Sequence, residues 1–553
     1  MKNTTKSLPV FILSGLMLAA CFSGPVSAQV DTHQWGLLAV QDNGRTKPMT
    51  AFARESLIRL SGQKTVTFEN RKVEANTWML SMMLEDTAWE TVPMILIAYR
   101  PLVEELGLDP SRKRFSFAEL VELPGLREKI TEAHRLRSAE APVARSQTEA
   151  ELVGVRMSLF ENIRRGVLMK IVPPPSPAVS EAMWLTPPEA LEAYGREATL
   201  EMTETLQNTA VSYQQGDAKA FTEACEQLRK SIRELRPNVY PKKWMLDLEN
   251  AYYQWRPFSI ALAGYVLAFV VLILTVTSQV KSSTLVKAGV ALASTALLVH
   301  IVGMVVRSLI AGRPPVTNMY ESVIWVSFGV ISLGLIFGWK FRSLMCLLAA
   351  LPVSALCLVL VQQMPIAMPE RLDPLVPVLR SNFWLTTHVL TITMSYAAFA
   401  LAMGLGHIAL VRYLKNPAGI QADQTFHLWL YRSLQVGVLL LAVGTILGGV
   451  WANYSWGRFW GWDPKETWAL IALLCYIVVL HGKIAGWWDD FGLAIGSVIS
   501  FLAVLMAWYG VNFILGAGLH SYGFGVGGEA YVVGYVLLEL IFIGIVILRV
   551  RFR

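Results

Sequence analysis

From residue 256 onward the chain passes through nine apolar stretches, roughly 258–277, 286–310, 322–339, 344–361, 386–411, 433–450, 468–484, 491–510 and 531–550. Each is close to the ~20 residues an α-helix needs to cross the hydrocarbon core of a bilayer. Length alone, 553 residues, would suggest three or four soluble domains at roughly 150 residues each. Composition overrules that reading, because hydrophobic residues make up 54% and charged residues only 16%, against about 25% charge in an ordinary soluble chain. The expected fold class is mainly α: a polytopic helical membrane protein of about nine transmembrane helices, preceded by a mostly helical exported soluble domain.

The export expectation comes from the N-terminus. Lys2 and Lys6 precede an apolar run, Leu8 to Ala20, that is too short to span, followed by small residues, the layout of a secretory signal. Cleavage after Val26-Ser27-Ala28 gives a signal peptide of residues 1–28, while Leu18-Ala19-Ala20-Cys21 also reads as a lipoprotein box. Residues 29–255 then form an extracytoplasmic domain without a spanning segment. Leu, Tyr, Met and Phe recur at spacings of three and four from Pro187 to Leu235, with a break at Gly216-Asp217, so a helical hairpin is expected there. Pro173 to Pro177 reads as a stiff linker. His33 and His134 lack neighbours at metal-ligand spacing and read as surface residues.

Two compositional facts exclude function classes. The net charge of +7 is spread among apolar segments, so it speaks for membrane topology and not for nucleic acid. Cys21, Cys225, Cys346, Cys357 and Cys475 contain no C-x-x-C pair, which excludes a thioredoxin-type redox centre, a cysteine zinc site and covalent c-haem on this chain.

With the soluble domain outside, alternate loops face the cytoplasm, and these hold Lys281 and Lys287, Lys340 and Arg342, Arg412, Lys415 and Arg432, Lys483, and Arg549 to Arg553. That is the distribution the positive-inside rule demands. The histidines sort accordingly. His388 falls at the outer end of the fifth stretch, and His520 in the outer loop between the eighth and ninth. His481 lies toward the inner half of the seventh and His300 within the second. His407, near the inner end of the fifth, and His427, in an inner loop, do not read as ligands.

Between His388 and His520 comes an outer loop, 451–468, with five Trp and one Phe in eighteen residues. Histidine at a membrane edge is costly without a partner or a task. Two of them flanking such a loop suggest axial ligation of a planar, apolar cofactor, and haem fits best: imidazoles for the iron, indole faces for the macrocycle, and Arg458 or Lys465 for the propionates. An interfacial aromatic belt also enriches Trp, but not at this density around the polar insert Asp463-Pro464-Lys465-Glu466.

The run Trp456-Gly457-Arg458-Phe459-Trp460-Gly461-Trp462-Asp463-Pro464-Lys465-Glu466-Thr467-Trp468 resembles the tryptophan-rich WWD signature of the haem-handling proteins of cytochrome c biogenesis, in the form typical of CcsA (ResC). Gly312 to Glu321, Phe383 to His388 and Gly510 to Tyr522 are similar to further stretches of that family, in the same order. The resemblance covers residues from about 285 to the end, within a CcsA-like domain of residues 256–553. It implies that His388 and His520 are external ligands of haem iron and that His481 is an intramembrane histidine of a possible inner haem; Trp456, Arg458, Trp460, Trp462 and Asp463 are the further candidates for haem contact, with loop folding the alternative role for Asp463, Lys465 and Glu466. The cofactor and substrate would be noncovalent haem b. Gly44 to Arg54 resembles part of a shortened ResB-like (CcsB) portion. A full ResB-like half would carry a second intramembrane histidine, so the inner partner would be His300 or would come from a separate ResB-like subunit. For His300 a structural hydrogen bond is the alternative reading.

The resemblance implies a System II cytochrome c synthetase or a subunit of one, a multi-pass protein of the cytoplasmic membrane with its soluble domain and WWD loop on the periplasmic side. It would attach haem to the C-x-x-C-H cysteines of apocytochrome c, with a thiol reductant as a further partner. The client supplies the thiols and haem the vinyl groups, so no protein nucleophile is needed; the protein supplies position. The rival readings are a haem chaperone or transporter serving a separate ligase, a dihaem electron-transfer subunit, and a noncatalytic scaffold.

Overall fold

The computed structural model describes residues 30–84, 88–175, 183–277, 283–374, 381–416, 424–515 and 528–551. The signal segment, Cys21 and His520 lie outside these residues. Contacts divide the chain into two compact units, Met1–Gln254 and Trp255–Arg553.

The first unit is mostly helical with three small two-stranded antiparallel sheets among its described residues. The hairpin pairing Ala39–Asp42 with Arg45–Pro48 turns at Asn43-Gly44, both at positive φ (50° and 75°), as a two-residue turn that matches strand twist requires. It delivers the Gly44 to Arg54 stretch to a buried charge cluster. Lys47, 1% exposed, donates to Asp42 at 3.0 Å and Glu55 at 2.6 Å, while Arg45 pairs with Glu249. Burial works against the Lys47 charge, but the two carboxylates outweigh it and raise its pKa. The expected helical hairpin is present as Leu200–Gln215 and Ala218–Leu235. It breaks where Gly216 takes φ 71° and Asp217 caps the second helix through the amides of Lys219 and Ala220. His33 and His134 are exposed.

In the second unit, nine helices among the described residues are long and apolar enough to cross a membrane. They are α1 (Pro257–Thr277), α2 (Ser283–Ala311), α3 (Met319–Lys340), α4 (Leu344–Gln363), α5 (Leu390–Lys415), α6 (Gln424–Trp456), α7 (Pro464–Ile484), α8 (Asp490–Leu505, a span together with its continuation to Leu515) and α9 (Glu529–Arg551). A π-helical turn, Leu385–Val389, leads into α5, and a ten-residue π-helix, Met506–Leu515, continues α8. The chain is thus a mainly helical, multi-pass membrane protein. α1 packs on α2 and α4, α3 on α4 and α5, α5 on α6 and α8, and α7 on α6 and α8. α5 is central: it buries a continuous run from Tyr396 to Gly406.

Two local expectations change. The stretch 451–468 is not one loop, since α6 continues to Trp456 and α7 begins at Pro464. Nothing from Trp451 to Trp456 forbids helix, and the first stop is Gly457, at φ 71°. His427 sits in the first turn of α6, not in a loop; it is 4% exposed, with Nε2 3.8 Å from Asp490.

Candidate functional site

The connection Gly457 to Asp463 is wound around one carboxylate. Glu466 Oε2 accepts the amides of Gly461 (2.8 Å) and Asp463 (3.2 Å), and Oε1 accepts Arg458 Nη1 (3.1 Å). Asp463 in turn accepts the Lys465 amide (3.0 Å). Together with Pro464 in the first helical position these bonds make a capping box for α7. Both acidic residues of the insert therefore fold the loop. Trp462 holds a left-handed backbone, φ 57°, and meets Trp460 edge to face with centroids 5.9 Å apart.

His388 lies in the π-turn before α5. Its Nδ1–H donates to the Gly444 carbonyl of α6 at 2.8 Å, which leaves the lone pair on Nε2, the form that ligates a metal. The close approach depends on Gly448, where an added Cβ would stand 2.6 Å from the His388 ring. The Trp451 ring packs on the imidazole edge-on with centroids 5.7 Å apart.

His388 and Trp451 line an open-mouthed cavity of about 170 Å³. Trp456 lines it from the end of α6, Phe459 and Trp460 from the connection, Tyr396 from α5, Trp508 and Asn512 from the π-helix, and Thr317 and Ser322 from around the start of α3. Lys465 reaches it from α7 with Nζ 3.3 Å from Asn512 Oδ1. The Trp460 indole N–H is buried, with no hydrogen-bond partner among the described residues. A planar ligand with aromatic faces and a carboxylate edge would meet indoles, an imidazole, an ammonium and that unpaired N–H here. The residues present suit haem.

Of the residues singled out in the sequence, His388, Trp456, Trp460 and Lys465 thus meet at the cavity. Arg458, Trp462 and Asp463 do not line it: Arg458 is held by Glu466 and lies over Trp456, Trp462 is 69% exposed, and Asp463 is spent on the cap. His481 is exposed and donates from Nδ1 to Ile477 O of its own helix, about 24 Å along α7 from Lys465 at 1.5 Å per residue. His300 is fully buried, with Nδ1 3.1 Å from the Tyr265 hydroxyl and ring contacts to Phe258 and Phe328. It packs among α1, α2 and α3, and is not brought to His481. His407 pairs with Glu539 of α9 at 3.0 Å.

Sequence reasoning missed Trp508, Tyr396, Ser322 and Thr317. Asn512, a lone amide in an apolar stretch, carried a readable signal. The others depend on the π-helix and on packing.

Fold and cavity define a multi-pass helical membrane protein with an imidazole and several indoles converging at one end of its bundle. The chain belongs to the cytochrome c assembly family: the model for "Cytochrome C assembly protein" matches residues 316–520, a range that contains every cavity-lining residue. It is 32% identical over 300 residues to the cytochrome c biogenesis protein CcsA of Synechococcus sp. (strain CC9605), covering 48% of this chain and 96% of that one. CcsA of Prochlorococcus marinus (strain AS9601) is 34% identical over 246 residues, 39% of this chain and 77% of its own. Protein NrfI of Wolinella succinogenes is 32% identical over 511 residues, which is 89% of this chain. The chain spans only 54% of the length of NrfI.

Proposed function

We propose that this protein holds haem b noncovalently in the cavity beside His388, outside the hydrocarbon core, and presents it to the C-x-x-C-H segment of an apocytochrome c. The observation that carries the reading is the His388 imidazole, fixed through Nδ1 by the Gly444 carbonyl at the wall of an aromatic cavity. Haem is the substrate, and each client thiol adds across a vinyl group, sulfur to one carbon and hydrogen to the other, so nothing leaves and no oxidant is consumed. The protein's part is orientation: His388 holds the iron, indoles bound the ring, and Lys465 with the Trp460 N–H faces the carboxylate edge. His520 is the second external ligand in this reading, and the client's own histidine displaces one of the two. His481 takes up haem from the inner side, with its axial partner supplied by a separate ResB-like subunit, and a thiol reductant keeps the client cysteines ready. The signal segment exports the first unit to the periplasmic face, the face that also bears the cavity.

Coexpression with a C-x-x-C-H apocytochrome, in a host without its own maturation system, tests this. Covalent haem on the client is the expected result. Haem on this chain without client maturation would favour a chaperone serving a separate ligase, and absence of haem from the purified chain would sink the reading.

A further inference from the structure

One ion pair in the second unit is buried beside the cavity and used by nothing described so far. Arg307 on α2 and Glu321 on α3 are each 1% exposed, with Nε 2.8 Å from Oε1. Arg307 also donates to two main-chain carbonyls beyond α4, Glu370 O at 2.8 Å and Arg371 O at 3.3 Å. Its guanidinium lies 4.9 Å from the Tyr320 ring centroid. Glu321 uses its second oxygen to accept the Thr317 amide (2.8 Å) and hydroxyl (2.6 Å). Its own amide donates to Asn318 Oδ1 at 2.9 Å. Three separate chain segments are pinned at one point.

Desolvating such a pair costs several kcal/mol per ion, and apolar residues of similar size often hold helices together as well or better. What an ion pair with directed bonds offers is a single geometry. The geometry fixed here is that of the cavity wall. Thr317, Asn318, Met319 and Ser322 all line the cavity. Ser322 Oγ accepts the Trp508 indole N–H at 3.0 Å, and Val316 packs with Trp451, the ring that backs His388.

We propose that Arg307 and Glu321 are a positioning pair that sets the cavity wall, and through Trp508 and Trp451 the plane in which the bound ligand lies against His388. This rests on the haem reading for the identity of the ligand, but not for the placement of the wall.

The test uses the full-length protein in three forms beside the native one: Glu321→Gln, Arg307→Lys, and the doubly apolar Arg307→Met with Glu321→Met. The double variant separates positioning from stability, because it removes the directed bonds without leaving a lone buried charge. Four readouts are taken: thermal midpoint, the absorption spectrum of bound haem with and without added imidazole, client maturation, and fluorine NMR of 5-fluorotryptophan protein. The double variant should keep the native midpoint and shift the Trp508 and Trp451 resonances while leaving Trp78 of the first unit in place. It should also let added imidazole reach the iron and lose about a hundredfold in maturation, the scale a displacement of about 1 Å produces. Arg307→Lys, which keeps the charge but cannot serve Glu321 and two carbonyls together, should show the same resonance shifts and loss. A folded double variant with native resonances, spectrum and maturation overturns the proposal, as does maturation falling only in step with the folded fraction. If the native protein carries no haem, the functional reading fails, and the Trp508 and Trp451 resonances still decide the role of the pair.

Discussion

At the residue scale, the environment of His388 decides what this end of the bundle can do. His388→Ala should abolish haem-dependent maturation, and added imidazole should restore part of it by filling the vacated coordination position; full activity of the variant without imidazole would remove His388 from the site. Gly448→Ala is a sharper probe, because the helix tolerates alanine while the new Cβ must displace the imidazole it would contact at 2.6 Å. Native helicity with lost haem is the expected pair of results. Trp460→Phe keeps an aromatic face but removes the pyrrole ring together with the unpaired N–H, so it should weaken haem binding by about tenfold or more, the order of one hydrogen bond to a charged acceptor plus lost ring contact. His481→Ala, with His300→Ala beside it, tests inner uptake: haem per protein should fall severely in the first and stay normal in the second, since His300 already has the Tyr265 hydroxyl as partner. In the first unit, Lys47→Ala would strand Asp42 and Glu55 and should cost about 3–5 kcal/mol, read as a shift in the denaturant midpoint.

At the scale of elements, the connection between α6 and α7 shows what a sequence can and cannot disclose. Asp463-Pro464-Lys465-Glu466 is a readable helix start and Gly457 a readable stop, so both helix ends were available from sequence. Residues 451–456 nevertheless belong to α6 and not to the loop, because no helix breaker stands among them ahead of Gly457. The nine apolar stretches were legible because bilayer thickness dictates their length, whatever the neighbours. The π-turn at His388 and the π-helix that brings Trp508 and Asn512 to the cavity were not, since they answer to contacts between helices and not to local preference. A short helix in the first unit, Phe117–Val121, gives a pH test. Glu119 closes a capping box with Ser116, and its carboxylate is held down to about 2, chiefly by its hydrogen bond from Arg112 with the Ser116 amide assisting against burial. A depressed carboxylate stabilises fully above its ordinary value of 4.5 and loses that contribution as pH falls through about 2. Unfolding of this unit should therefore grow easier between those values, and Glu119→Gln should flatten that part of the profile.

For the whole molecule, the proposed orientation puts the cavity and the first unit outside and the segment around Lys415 inside. A cysteine at position 458 should react with an impermeant thiol reagent on intact cells, and one at position 415 only after rupture; the reverse pattern would overturn the functional reading. Native Cys225 should stay silent in such an assay, because burial pushes its thiol up to about 12. The cavity walls come from α3, α5, α6, α7 and the π-helix after α8, from Val316 to Asn512. No fragment that stops short of the π-helix contains all of these walls. A ribosome making roughly 5–20 residues per second needs on the order of 3–10 s to travel from Trp460 to Asn512, and throughout that interval the indoles of the α6–α7 connection and the imidazole of His388 are synthesised but unenclosed. Birth of the site is thus a late event in membrane insertion, and a chain halted before its eighth helix should have His388 and the tryptophans of the α6–α7 connection, but neither Trp508 nor His520 and no capacity to retain haem.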